Sequence, residues 1–381
     1  MEDLSEIRSR INDIDARISE LFLERCEIGR DVAAYKRQTG KPVLDRTRER
    51  ANIAAAIERV PPEFASHAAS IQSILMEASR EVQYRELGRT SPMGDEVRAA
   101  LEAAPAYFPT HATVACQGTE GAYQQLACDR MFRAADIRFF DSFEAVFEAV
   151  EAGVCDFGVL PVENSTAGSV NHVFDLMSRH DFHIVRTCRL KVEHNLLVPH
   201  GTRKEDVRIV YSHQQAIAQC ADYIAHLPGC RVHVCENTAR AAELVASSDR
   251  TDVAAIASHS CAEIYGLDVA ETDIADYKNN YTRFACIAKD LTIYPGADRC
   301  SLMAITDHRP GALFDVLAHF FALGVNLTKL ESRPIAGRDF EFMFYFDIEC
   351  QAASPSFLTL MDTLADVVSD LRYLGSYMEV V

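Results

Sequence analysis

Arg25 is a lone cation in an otherwise apolar seam. Leu4, Ile7, Ile11, Ile14, Ile18 and Leu21 precede it and Ile28, Val32 and Tyr35 follow, at steps of three and four residues. A buried guanidinium costs several kcal/mol unless it meets an anion. Two occupants satisfy it: an acidic side chain of another helix, or an anionic ligand held inside a helical bundle. Lys36 lies three helical turns further on, facing the same side ~16 Å away. Together they can grip one small anion from both ends. Arg8 stands ~25 Å before Arg25 along the axis, so it reaches the same ligand only from a second copy of the chain. Asp45, Arg48 and Glu49 share one face of a following helix, and Ser79 and Gln83 share a face of a third. Taken alone, these are ordinary solvent-face spacings.

Three later segments also carry polar chemistry. Gly118-Thr119-Glu120-Gly121-Ala122-Tyr123 is a glycine-rich turn between a strand and a helix, which can cradle an anion on backbone N–H groups or be a plain tight turn. It is not a nucleotide fingerprint, since the glycine spacing is wrong and no Gly-Lys-Ser/Thr follows. Leu160-Pro161-Val162-Glu163-Asn164-Ser165-Thr166 ends a buried strand in three adjacent polar side chains. Helix capping uses one of them; a ligand site uses all three. In Asn279-Asn280-Tyr281-Thr282-Arg283-Phe284, a hydroxyl stands beside a guanidinium at a strand entrance. Such a cation raises the acidity of a neighbouring donor, although ordinary strand-entry residues look the same.

These groups need elements to hold them. Residues 1–90 read as three helices: a first ~50 Å rod from Asp3 to about Arg37, stopped by Gly40-Lys41-Pro42, a second from Asp45 to Val60, and a third from Pro61-Pro62 to Leu87 with Gly88 as C-cap. Three helices of this length cannot wrap such a rod, so its exposed seam implies an intertwined dimer. Residues 91–111 read as a linker with a helical turn or two. Residues 112–292 alternate short apolar runs with amphipathic helices, the pattern of an α/β domain with a mostly parallel sheet, large enough for two lobes around a cleft. After Pro295-Gly296 the order is βαββαβ over 298–381, a ferredoxin-like α+β unit whose third strand is expected at Glu341–Ile348. The fold class is therefore multidomain: all-α, two-lobed α/β, then α+β.

The 38 Lys and Arg against 56 Asp and Glu give a net charge of −18, which excludes nucleic acid and anionic membrane surfaces as partners. Only 14 of those basic residues and 16 of the acidic ones lie in residues 1–87, so the acidic excess belongs to the rest of the chain. Local cations can still collect anionic substrates. No apolar run reaches the ~20 residues of a membrane span, and the acidic start lacks a signal-peptide pattern, so a cytoplasmic location is expected. Twelve scattered cysteines without a Cys-x-x-Cys read as buried free thiols. His180 and His183 are a weak metal signal, and neither metal nor cofactor is expected.

With these residues in view, residues 1–88 resemble the all-helical chorismate mutases. The resemblance implies a dimer whose site draws Arg25, Lys36, Asp45, Arg48, Glu49, Ser79 and Gln83 from one chain and Arg8 from its neighbour. Arg8 and Arg25 would hold the substrate carboxylates, Lys36 and Gln83 the breaking ether oxygen, and Glu49 the hydroxyl. Residues 112–292, with the Asn-Ser and Thr-Arg-Phe segments, resemble the prephenate dehydratases. Thr282 would be the proton donor, Asn164, Ser165, Thr166 and Ser212 would bind substrate oxygens, Arg283 would anchor a carboxylate or sharpen Thr282, and Phe284 would pack the ring. Tyr123-Gln124 and Ser212-His213-Gln214-Gln215 depart from the usual family wording. Residues 298–381 resemble the ACT regulatory domains, in which Gly311-Ala312-Leu313 and Glu331-Ser332-Arg333-Pro334 would bind phenylalanine between subunits.

The implied protein is a homo-oligomer, at least a dimer, that rearranges chorismate to prephenate, converts prephenate to phenylpyruvate and is inhibited by phenylalanine. Arogenate as the central domain's substrate is the enzymatic alternative. A non-catalytic amino-acid sensor is the alternative of a different class.

Overall fold

The computed structural model describes residues 3–88, 90–309, 311–335 and 342–381. The chain divides into two compact units: Met1–Ala99 with Leu302–Tyr373, and Ala100–Ser301 with Leu374–Val381.

The first unit begins with α1 (Leu4–Thr39), which ends where Gly40 adopts a left-handed φ of 68° and returns its N–H to the Lys36 carbonyl. Gly29 and Ala33 alone are buried on it. Its apolar seam faces solvent in the single chain, with Leu4, Ile18 and Leu21 each close to 60% exposed. Helix α2 (Arg46–Glu58) starts at Asp45, whose carboxylate accepts the Arg48 N–H at 3.0 Å. A short turn at Pro62–Phe64 leads into α3 (Ala65–Leu87), closed by Gly88.

The stretch read as a linker contains an 11-residue helix, α4 (Pro92–Glu102). Tertiary contacts hold it where propensity would not. Ser91 donates its backbone N–H to Asp362 at 2.9 Å and its hydroxyl to the Met361 carbonyl at 2.8 Å. Arg98 grips the same Asp362 carboxylate. A Cβ at position 94 would fall 1.9 Å from the Asp362 Oδ1, so any side chain there would push that carboxylate off its partners.

The second unit carries β1 (His111–Gln117), α5 (Tyr123–Met131), β2 (Ala134–Phe140), α6 (Phe143–Glu151), β3 (Phe157–Asn164), β4 (Gly168–Ser169), α7 (Asn171–Met177) and β5 (His183–Lys191). The chain then crosses to β6 (Asn195–Val198), β7 (Ile209–His213), α8 (Gln214–Gln219), α9 (Ala221–Ala225), β8 (Arg231–Cys235), α10 (Thr238–Ala246), β9 (Val253–Ala257), α11 (His259–Tyr265) and β10 (Asp268–Glu271), and returns through β11 (Tyr281–Ala288). Instead of one mostly parallel sheet there are two mixed sheets. One has the order β16 (Glu379–Val380)-β5-β11-β3-β1-β2 with β4 beside β3, and the other β10-β6-β9-β7-β8. β11 runs antiparallel to both β3 and β5, because the chain comes back from the second lobe in the opposite direction. A crossing strand of this kind has no βα repeat to announce it.

The rest of the chain forms β12 (Arg299–Ile305), α12 (Ala312–Ala322), β13 (Asn326–Pro334), β14 (Phe342–Glu349), α13 (Pro355–Thr363) and β15 (Asp370–Tyr377), in sheet order β13-β14-β12-β15. Glu341, expected to open the third strand, lies outside the described residues. The single final strand of the sequence reading is two: the chain breaks at Met378, and β16 (Glu379–Val380) pairs with β5 in the larger α/β sheet. Within the first unit the buried His319 joins α12 to α3 and α13, its ring nitrogens 2.5 Å from Glu77 and 2.6 Å from the Thr363 hydroxyl. Among the described residues, no helix is long and apolar enough to cross a membrane.

Candidate active sites

In the α/β unit the two lobes enclose a cavity of about 470 Å³ lined by Tyr123, Asn164, His194, His213, Thr282 and Phe284, among others. β11 brings Thr282 opposite Asn164 of β3. The polarity of the hydrogen bonds there follows from two backbone donors. The N–H groups of Thr166 and Ala167 point at Asn164 Oδ1, at 3.1 and 2.9 Å. This makes that atom the amide oxygen, so Asn164 Nδ2 donates to Thr282 Oγ1 at 2.9 Å and to Asn280 Oδ1 at 2.8 Å. The Thr282 oxygen thus accepts from the protein, and its own proton is left to be given elsewhere.

The same polarity runs around a closed ring. Asn280 Nδ2 donates to Gln219 Oε1 at 3.0 Å, Gln219 Nε2 to Thr166 Oγ1 at 2.7 Å, and Thr166 Oγ1 back to Asn164 Oδ1 at 2.7 Å. Every bond points the same way, so each polarises the next. Burial lowers the pKa of both His194 and His213. No Lys or Arg is among the described residues lining this cavity, and Glu236 is the one carboxylate there.

In the helical part of the first unit, Lys36 at the end of α1 meets the start of α2. Its ammonium donates to the Val43 carbonyl at 2.7 Å. Burial lowers its pKa, while the nearby Asp45 and Glu49 carboxylates oppose that shift and Arg48 adds to it. Arg25 donates to the Leu75 carbonyl of α3, and burial lowers its pKa as well. Gln83 is buried, with Nε2 on the Ser79 carbonyl at 3.0 Å and Oε1 without a partner. Lys36 is thus set near Asp45 and Arg48 of α2, while Arg25 packs against α3 at Leu75 and Gln83 sits beside Ser79 on α3. Glu49 also lies near Lys36, with its carboxylate paired to Arg80. Arg8 lies far along α1, out of reach within one chain.

Comparison with known proteins decides the family. Residues 114–292 match the family described as prephenate dehydratase, and residues 7–84 match chorismate mutase type II. A bifunctional chorismate mutase/prephenate dehydratase of Enterobacter agglomerans is 30% identical over 98% of this chain and 95% of its own length. The chain belongs to the bifunctional chorismate mutase/prephenate dehydratase family. The chain is also 39% identical to the arogenate dehydratase/prephenate dehydratase 2 of Arabidopsis thaliana, over 69% of this chain and 72% of that one. The solved prephenate dehydratase of Arthrobacter aurescens, in complex with L-Phe, superposes with a TM-score of 0.64 at 27% identity, over 70% of this chain and 89% of that one.

Within the dehydratase domain, the structure moves four sequence-derived residues off the cavity wall, Thr166 among them. Arg283 points to the opposite face of β11, since successive strand residues alternate. There it donates to the Tyr377 hydroxyl at 3.0 Å and pairs with Glu379 at 3.3 Å, so it cannot anchor a substrate carboxylate in the cleft. Ser212 is fully buried on β7 and donates to the Ile256 carbonyl at 2.7 Å, while its neighbour His213 lines the cavity. Ser165 donates to the Asn279 carbonyl and accepts from the Tyr281 N–H, both at 2.9 Å, which commits its proton to the loop and leaves no donor for a substrate oxygen. Thr166 is a member of the hydrogen-bonded ring, and Phe284 packs both cavity and core.

His194, Gln219 and Glu236 were not legible as site residues, because each stands in an unremarkable local sequence. Asn280 lies two residues before Thr282 and could have been read from that segment.

In the C-terminal part, Gly311 has a φ of 84° at the start of α12 and faces a second cavity of about 640 Å³ shared with α2 and α3. Ala312 is buried and Leu313 half-buried behind it. Glu331, Ser332, Arg333 and Pro334 form the end of the edge strand β13, opposite Tyr345, Phe344, Met343 and Phe342.

Proposed function

We propose that the two active centres use the residues just described, and that a phenylalanine-responsive α+β domain and a dimer complete the enzyme. The chain is a chorismate mutase and a prephenate dehydratase. The observation that carries the dehydratase mechanism is the Asn164 amide held on the Thr282 oxygen.

The helical site needs no nucleophile. Chorismate rearranges by a concerted shift, so the work is to hold a compact conformer and stabilise charge on the breaking ether oxygen. Arg25 takes one carboxylate and the partner's α1 supplies Arg8 for the other. Lys36 and Gln83 donate to the ether oxygen, the Gln83 amide turning from Ser79 when substrate enters. Glu49 swings off Arg80 to meet the substrate hydroxyl. The exposed α1 seam, too long an apolar stripe for a lone chain, supports the dimer.

In the cleft, prephenate loses its carboxylate as CO2. The electron pair of that C–C bond enters the ring, and the ring C–O bond breaks with its pair on oxygen. The Thr282 proton goes to the departing hydroxyl, which leaves as water, and solvent restores the proton. Aromatisation drives the step.

Arogenate is a second reading. Glu236 among neutral neighbours suits an ammonium group, and the similar plant enzymes carry arogenate dehydratase in their names.

The sheet order of the C-terminal domain is that of a ferredoxin-like fold, which supports an ACT assignment. Gly311–Leu313 and Glu331–Pro334 would hold phenylalanine across a subunit boundary. Mixing the protein with chorismate, prephenate or arogenate and following loss of chorismate, phenylpyruvate in alkali, and phenylalanine tests all of this. Chorismate consumption without an aromatic product from either second substrate would refute the dehydratase. Phenylalanine should raise the thermal midpoint and slow dehydration, and Glu331→Ala should remove both effects.

A further inference from the structure

We infer that His194 is a positioning residue for dehydration, fixed as one neutral tautomer, that sets the Gln219 amide and through it the ring that aims Thr282. The inference rests on the dehydratase reading of this cleft.

His194 occupies one of the two crossovers between the lobes, the segment between β5 and β6. The other crossover, between β10 and β11, carries Asn280. The Val192 N–H donates to the Asn280 carbonyl at 2.8 Å, and the Ile274 N–H donates to the His194 carbonyl at 2.9 Å, so the crossovers are fastened together at this residue. The side chain is 2% exposed, set edge-on to Tyr123 at 6.2 Å.

His194 Nε2 lies 2.9 Å from Gln219 Oε1. The ring polarity already fixes Gln219: its Nε2 must donate to Thr166, whose hydroxyl is committed to Asn164. Gln219 Oε1 is therefore an acceptor, and His194 Nε2 must carry the hydrogen. His194 Nδ1 is then a bare lone pair, buried and without a partner.

The consequence is a lock on amide orientation. Gln219 reversed would place two donors, its NH2 and the His194 N–H, against each other. It would also offer an oxygen to Thr166, whose hydroxyl could turn toward it and release Asn164. A reversed Gln219 escapes that clash only if His194 takes its other tautomer, which buries an Nδ1–H without an acceptor, and its NH2 would still face the Asn280 NH2, so the productive orientation is the favoured one. Gln219 belongs to α8 of the second lobe and Thr166 to the first, so the same lock bridges the cleft.

The test uses the full-length protein, whose mutase activity calibrates the amount of active chain in every variant. His194→Leu should lower dehydratase kcat about 10-fold or more with a smaller change in KM. His194→Gln, which keeps an N–H donor, should recover most of it. In a Gln219→Leu background, His194→Leu should cost little further, because its route is already cut. Full additivity, or equal loss in His194→Leu and His194→Gln, would overturn the inference. Nitrogen-15 NMR of the histidine rings gives a readout independent of activity. At neutral pH His194 should be the Nε2–H tautomer, and Gln219→Leu should perturb it. An Nδ1–H or doubly protonated ring would overturn the inference even in a fully active enzyme, and a wild type inactive on both prephenate and arogenate would instead refute the dehydratase reading.

Discussion

Asn164 Nδ2 donates to Thr282 Oγ1 at 2.9 Å, across the antiparallel register of β3 and β11. That bond occupies a lone pair on the hydroxyl that has to lose a proton, and so leaves the proton free for the substrate.

Thr282→Val should therefore lower dehydratase kcat about 100-fold or more, the usual contribution of a positioned acid. Mutase activity should be unchanged, since Lys36 lies in the other unit. Thr282→Ser, which keeps the hydroxyl, should retain a large part of the rate. Steady-state assays on chorismate and prephenate separate the cases, and parallel loss of both activities would contradict two separate centres.

Lys36→Ala should do the reverse, reducing mutase kcat/KM about 100-fold or more while prephenate is still dehydrated. The wild-type pH profile carries a sign. Burial lowers the Lys36 pKa below the usual lysine range, so the required ammonium is lost earlier as pH rises. Mutase kcat/KM should fall on the alkaline side, with an apparent pKa below the ordinary lysine value. A profile flat to the ordinary lysine range would remove Lys36 as the charged donor.

Arg8 and Lys36 can be assigned to different chains by mixing. If Arg8 is donated by the partner, Arg8→Ala and Lys36→Ala chains unfolded and refolded together should regain about a quarter of wild-type mutase activity, from one intact site in each mixed dimer. Refolded separately, each should stay inactive. No recovery on mixing would place both residues in the same chain's site. Ile18→Glu in the exposed seam should give a monomer by light scattering, with mutase activity lost.

The clamp on α4 predicts stability. Asp362→Ala removes the acceptor for Arg98 and for the Ser91 N–H, at a cost of about 2 kcal/mol in denaturant unfolding. Gly94→Ala should be costly in the wild type, where a Cβ would strike Asp362, and much cheaper once Asp362 is alanine. Equal costs in both backgrounds would contradict the clash.

Local pattern alone determined much of this protein. The step of three and four residues placed α1, the αL glycine Gly88 and the Asp45 cap set helix ends, and the Asn-Ser and Thr-Arg-Phe segments located the cleft strands, because these signals are carried by neighbours in the chain. Tertiary structure decided the rest. Alternation along β11 put Thr282 into the cavity and Arg283 out of it, yet sequence could not say which face was which until the C-terminal β16 arrived with Glu379. The helix at Pro92–Glu102 is capped locally by Ser91, but what pins it is Asp362, far along the chain, which accepts from the Ser91 N–H and from Arg98. His194 and Gln219 became site residues only when two crossovers met, since a hydrogen-bonded ring among distant side chains leaves no period or spacing in the sequence to betray it.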